Sequence, residues 1–168
     1  MRRERNGFKL RKPKLGIFFA SIYFLSALGL AVYLFMPKAA DASSRERLLI
    51  PSIGLIASVE NIERHGTELT APEYNAGAYY AADNKVVLIG HSTTVFKNLS
   101  ELVPGESFTF DKAKYRVEKV VILEKSAVDM KQIVAPATEK TIILMTCYGD
   151  QIGPYDYTHR FIVTAKEV

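Results

Sequence analysis

The chain has 168 residues, one cysteine and a formal net charge of +4, which gives room for one domain plus an appended segment and excludes intrachain disulfides. The positive balance is local: residues 1–14 carry seven of the 22 Lys and Arg and one of the 18 Asp and Glu, a net of +6, leaving 15 basic against 17 acidic residues, or −2, in the remainder. A weakly acidic body has no gathered basic face, so nucleic acid is excluded as a partner.

In chain order, the basic stretch "MRRERNGFKLRKPK" is followed by "LGIFFASIYFLSALGLAVYLFM", residues 15–36, 22 residues with no charged side chain. At about 1.5 Å per residue a helix of that length crosses roughly 30 Å of hydrocarbon. The expectation is a single transmembrane signal-anchor in the lipid bilayer of the cell membrane. Basic residues before it hold the N-terminus in the cytoplasm, so the body is extracellular. The small residues "AADA" at 39–42 offer an A-x-A cleavage pattern. Cleaved signals, however, have apolar cores of only about 7–15 residues, which favours an uncleaved anchor. Residues 37–47, "PKAADASSRER", read as a polar linker.

The body, residues 48–168, is long enough for its own core. It reads as all-β. Eight short runs, "RLLI", "LIASVE", "GAYYAA", "KVVLIG", "ESFTF", "KYRVEKVVIL", "KTIILMTC" and "RFIVTA", are rich in Val, Ile, Tyr, Phe and Thr. Turn signals "PSIG", "RHG", "DN" and "VPGE" separate them. Eight strands predict a closed or nearly closed β-barrel, which leaves no exposed edge. Two segments carry helical spacing, "VFKNLSEL" (95–102) and "SAVDMKQI" (126–133), so one or two short helices are expected.

The lone cysteine, Cys147, follows the run "TIILMT" where the sequence turns to Tyr-Gly-Asp, and is therefore expected at a strand end. In an exported domain it is an inert buried side chain, an intermolecular link or a reactive group. A nucleophilic thiol needs a proton partner, and histidine titrates in the right range. His65 lies in the turn-like "ERHGTE", whereas His91 directly follows the strand "KVVLIG". Acyl chemistry also needs a cation or donors for the oxyanion, which the guanidinium fork supplies. Arg160 opens the last strand. Strand alternation places Arg160, Ile162 and Thr164 on one face and His159, Phe161 and Val163 on the other, so only one of the adjacent pair points into a shared site.

The order of these residues along nearly all of 48–168 resembles the sortases, membrane-anchored cysteine transpeptidases of bacterial surfaces. "LLIPSIGLIASVENI", "GTELTAPEYNAGAYY", "VVLIGHSTTVFKNLSELVPGESFTF", "ILMTC" and "HRFIV" carry the likeness. The resemblance implies a sortase-type barrel in which His91 is the acid/base, Cys147 the nucleophile and Arg160 the oxyanion-stabilising group. It departs from the Thr-Leu-x-Thr-Cys motif at its first position, where Ile143 stands. It further implies cleavage of a Leu-Pro-x-Thr-Gly-type sorting signal after threonine, a thioacyl intermediate, and transfer to an amine. The implied partners are surface proteins with C-terminal sorting signals and an amine acceptor, a cell-wall peptide or a pilin lysine. The segment 148–159 is expected as a loop in the groove wall, with Tyr148, Tyr155 and Tyr157, together with Thr146, as candidate substrate contacts. No cofactor is expected, and no metal, since "SAVDMKQIVAPATEK" offers only Asp129 and Glu139 as carboxylates. Two other readings stay open: a membrane-anchored cysteine hydrolase with the same trio, and a non-enzymatic exported β-barrel interaction domain with Cys147 buried.

Overall fold

A computed structural model describes residues 46–66 and 68–168; the expected tail, the anchor over 15–36 and most of the linker lie outside the described residues. Ten strands are present among them: β1 (Arg47–Ile50), β2 (Leu55–Asn61), β3 (Arg64–His65), β4 (Glu68–Leu69), β5 (Ala76–Ala82), β6 (Lys85–Ile89), β7 (Ser107–Phe110), β8 (Ala113–Glu124), β9 (Thr141–Gly153) and β10 (Asp156–Glu167). Eight close into a barrel in the order β1-β2-β5-β6-β9-β10-β8-β7, and β3 pairs only with β4. These are the eight strands expected from the sequence. Most neighbours are antiparallel, but β2·β5 and β6·β9 are parallel.

Local chemistry sets the turns. In "IPSIG", Pro51 opens a short 3₁₀ segment and Gly54, at φ 64°, ends it by donating its N–H to the Pro51 carbonyl at 3.1 Å. Glycine adopts that left-handed conformation without a Cβ penalty. Asp111 and Lys112, both at positive φ, form the two-residue turn between Phe110 and Ala113 that a tight β7–β8 hairpin requires.

Inside the barrel, Leu48, Ile50, Leu88, Phe96, Phe108, Val117, Ile142, Leu144 and Val163 are almost wholly buried. A second apolar layer lies on the outer face of β6, β9 and β10. There Val87, Ile89, Ile143 and Ile162 are covered by Leu69 and Ala71 on one side and by Val128, Ile133 and Val134 on the other. Burial on both faces explains why "KVVLI" and "TIILM" are unbroken apolar runs rather than alternating ones.

Both helical candidates are present in reduced form. Phe96, Leu99 and Leu102 are buried at a spacing of three, the period of a 3₁₀ turn, and only Leu99–Glu101 is helical. The second candidate splits into a 3₁₀ segment, Lys125–Ala127, and a single five-residue helix, α1 (Met130–Val134). Asp129 caps α1 by accepting the Lys131 N–H at 2.9 Å.

Two expectations are corrected. Cys147 is not at a strand end, because β9 continues six residues further to Gly153. Segment 148–159 is accordingly not an irregular loop. It is the tip of the β9–β10 hairpin, in which Gly153 pairs with Asp156 across Pro154 and Tyr155. Glycines and a proline signal a turn, but here the backbone pairing of a long hairpin absorbs the glycines within it.

Candidate active site

Strand register assembles the site. In the β9–β10 hairpin Cys147 is directly opposite Arg160. On the other side of β9, the parallel register with β6 runs from Lys85↔Thr141 to Ile89↔Met145. Carried two residues further, it brings His91 level with Cys147. The Gly90 N–H, donating to the Met145 carbonyl at 3.4 Å, supports that continuation. The thiol thus has a guanidinium on one neighbouring strand and an imidazole two residues past the end of the other.

The alternation of β9 decides which side chains face outward. Ile142, Leu144 and Thr146 point to the barrel interior and are buried, while Ile143, Met145 and Cys147 face the outer layer. Thr146 has a buried hydroxyl that donates to the Gly90 carbonyl at 2.8 Å. It forms part of the groove floor with that hydroxyl already engaged. Gly90 has its own constraint: a Cβ there would lie 2.5 Å from Val95 and 2.8 Å from Phe96. The chain then turns sharply, with the His91 carbonyl accepting from the N–H groups of Thr94 and Phe96 at 3.2 and 3.0 Å. Buried Phe96 anchors that turn, and with it the backbone of His91.

Arg160 is fixed by the backbone. Its Nη1 donates to the carbonyls of Tyr157 and His159 at 3.1 and 2.9 Å, and its side chain is 18% exposed. Nη2 faces Asp156 Oδ1 at 3.7 Å, and both Asp156 oxygens accept from Lys125 Nζ at 2.7 and 2.8 Å. That hydrogen bond with Lys125 holds the Asp156 carboxyl below the usual carboxylate range. His159 takes the opposite face, as alternation requires, with its Nδ1 2.8 Å from the Thr158 hydroxyl.

Cys147 is a half-buried free thiol. Burial pushes its pKa up, the Arg160 guanidinium pulls it back, Asp156 adds to the rise and Lys125 opposes it, with a net upward shift. The resting group near neutrality is therefore a thiol. Nucleophilic attack from it requires a proton acceptor, and His91 lines the same groove.

That groove encloses about 260 Å³ and is lined by Leu69, Thr70 and Ala71 on one wall, by Ile89, Met145 and Cys147 along its floor, and by His91, Tyr155 and Arg160. Of the three candidate tyrosines, the structure brings one to it. Tyr155, at the hairpin tip with φ 57°, lies with its ring 5.6 Å from that of His91. Tyr148 has inward parity and packs on Phe161 at 5.9 Å, and Tyr157 contributes its carbonyl to Arg160. His65 is exposed in β3, opposite Glu68 of β4, and does not line the groove. Sequence reasoning misses the wall at 69–71 and the Lys125–Asp156 pair. No local pattern marks Lys125, which reaches the site from the end of β8. The two carboxylates weighed for a metal are otherwise engaged, Asp129 on the α1 cap and Glu139 with Lys166 at 2.9 Å. Among the described residues no three His, Cys, Asp or Glu side chains converge as a metal site needs.

Comparison with known proteins agrees with this architecture. Residues 48–168 match the family profile of the sortase domain. Sortase D of Bacillus subtilis (strain 168) is 28% identical over 143 residues, covering 80% of this chain and 68% of its own. Sortase A from Corynebacterium diphtheriae superposes with a TM-score of 0.59 at 17% identity, over 92% of this chain and 86% of that one. Its lid mutant superposes with a TM-score of 0.58 at 21% identity, over 79% and 74%.

Proposed function

The chain belongs to the sortase family, and from that premise we propose that it is a cell-surface cysteine transpeptidase acting on sorting-signal peptides. The observation that carries the reading is that Cys147 directly opposes Arg160 across the hairpin while His91, two residues past the end of the other neighbouring strand, lines the same groove. In the proposed reaction Cys147 Sγ attacks the threonine carbonyl of a Leu-Pro-x-Thr-Gly-type signal as its proton passes to His91. Arg160 receives the negative charge on the carbonyl oxygen, a role that suits a fixed, permanently charged fork. The threonine–glycine C–N bond breaks, and His91 returns the proton to the departing amine. An incoming amine then attacks the thioester, forming an amide and releasing the thiol. The acceptor is a cell-wall peptide or a pilin lysine, and the substrates are surface proteins with C-terminal signals.

The basic tail and the apolar stretch 15–36 support a single-pass membrane placement with the barrel outside the cell. Protease added to intact cells should then digest the barrel and spare residues 1–14. Protection of the barrel would reverse this orientation.

The decisive experiment is mass spectrometry of the protein after incubation with a panel of sorting-signal peptides. A thioester on Cys147 that converts to an amide when an amine is added is the expected result. Thioester that decays only to the free acid, whatever amine is present, would make the protein a hydrolase. An unmodified Cys147 across the panel would overturn the substrate assignment.

A further inference from the structure

Two cations share one carboxylate beside the thiol. We propose that Lys125 holds the Asp156 carboxylate off Arg160, and so keeps the outer edge of the guanidinium open for the charge that forms on the substrate carbonyl. The inference rests on the transpeptidase reading for its kinetic consequence, though not for its geometry.

The distances are unequal in a specific way. Lys125 Nζ contacts both Asp156 oxygens at 2.7 and 2.8 Å, whereas Arg160 Nη2 is 3.7 Å from the nearer one, beyond hydrogen-bond reach. The register shifts near Tyr157 bring this carboxylate close enough to Arg160 for the bidentate fork that arginine favours. Here the fork is not formed. Asp156 is further fixed by accepting the Tyr157 N–H at 3.0 Å on Oδ1. Arg160 needs no carboxylate to stay in place, because the Tyr157 and His159 carbonyls already occupy Nη1. Its remaining N–H groups are therefore the ones a bound Asp156 would consume.

Lys125 is suited to this task by where it sits. The β8–β10 register ends at Glu124↔His159, so Lys125 leaves β8 beside the start of β10 and reaches across to Asp156. Its side chain is 49% exposed and that of Asp156 36%, so the pair is a solvated one that adds little to stability. A role in keeping a charge pattern fits better than a role in holding the barrel together. The charged and titratable groups around the thiol are then Arg160, Asp156, Lys125, His91 and Tyr155. Among these Asp156 supplies the nearby negative charge.

The test compares wild type, Lys125→Ala, Asp156→Asn, the double variant and Lys125→Arg in two assays: peptide turnover, and the pH profile of Cys147 alkylation by iodoacetamide. Losing Lys125 lets Asp156 close on Arg160, so Lys125→Ala should lower kcat on the order of tenfold, within the range of coupled neighbours. It should also shift the alkylation midpoint upward. Adding Asp156→Asn should bring kcat to that of Asp156→Asn alone and leave only the smaller rise in midpoint that the Lys125 charge itself accounts for, and Lys125→Arg should behave as wild type. Effects that simply add in the double variant would mean that Lys125 acts as an independent charge, which overturns the proposal. Should Lys125→Ala alter the circular dichroism spectrum, Lys125→Gln takes its place. Failure of every peptide to react with wild type would refute the substrate reading, while the alkylation profiles would still decide the role of Lys125.

Discussion

The hydroxyl of Thr146 donates to the carbonyl of Gly90 at 2.8 Å, joining the strand that carries the thiol to the residue before His91. Thr146→Val keeps the shape and removes the donor, leaving a buried carbonyl with one partner fewer. Stability should fall by about 1–3 kcal/mol, read from urea denaturation, and turnover should fall because His91 loses its support. Thr146→Ser, which keeps the hydroxyl, should retain most of both. A larger loss from Ser than from Val would assign the effect to the methyl group, which Ser lacks and Val keeps, rather than to the hydrogen bond.

Arg160 and His159 are adjacent in sequence and face opposite ways. Arg160→Ala should lower kcat on the order of 10²–10³, the effect of removing an oxyanion donor, and His159→Ala should change it little. Cys147→Ala should abolish turnover and leave the thermal melt intact. Comparable kinetic losses at 159 and 160 would show that the roles are wrongly divided.

Burial raises the Cys147 pKa more than Arg160 lowers it. A raised value means less thiolate at any given pH than on a free cysteine, so alkylation at neutral pH should be slow. It should climb with pH through a midpoint above that of the free amino acid. Arg160→Ala removes the largest lowering influence and should move that midpoint higher still. In turnover, kcat/KM should follow a bell whose limbs belong to the Cys147–His91 pair, and His91→Ala should erase one of them. A wild-type midpoint at or below that of free cysteine would contradict the effect of burial.

Tyr155 occupies a left-handed conformation, φ 57°, that costs a non-glycine residue about 1–3 kcal/mol, with its ring 5.6 Å from that of His91. Asparagine tolerates this backbone far better. Tyr155→Asn should therefore keep or raise the melting temperature while raising KM, since the ring borders the groove. An unchanged KM would leave the tyrosine as a turn residue only.

Legibility in the sequence followed the range of the forces involved. The eight barrel strands are readable because each is a local run of strand-forming residues bounded by turn chemistry, and closure follows from having no edge to spare. Cys147, His91 and Arg160 stand out by residue type and by position after or at the start of such runs. The Cys147–Arg160 pairing is not readable, since it depends on bulges near Tyr157 that set the hairpin register. Nor is the tip of that hairpin, where "YGDQIGPYDY" has loop composition yet extends the two strands. The Lys125–Asp156 contact spans β8 and β10, and no local pattern encodes it. Arg160 and His159 were separable in advance because strand alternation is strictly local.

The two pairings of β9 differ in reach along the chain. Cys147 meets Arg160 across a hairpin of 13 residues, whereas each β6 partner of β9 lies 56 residues upstream. Closing a short loop precedes closing a long one, because the entropy lost grows with loop length and distant contacts set the pace of folding. A folding chain would therefore match thiol with guanidinium first and receive its imidazole last. Chemical reactivity and catalytic competence are acquired in that order. Local opening of β6 would reverse only the second, leaving a nucleophile that can be alkylated or oxidised but cannot turn over.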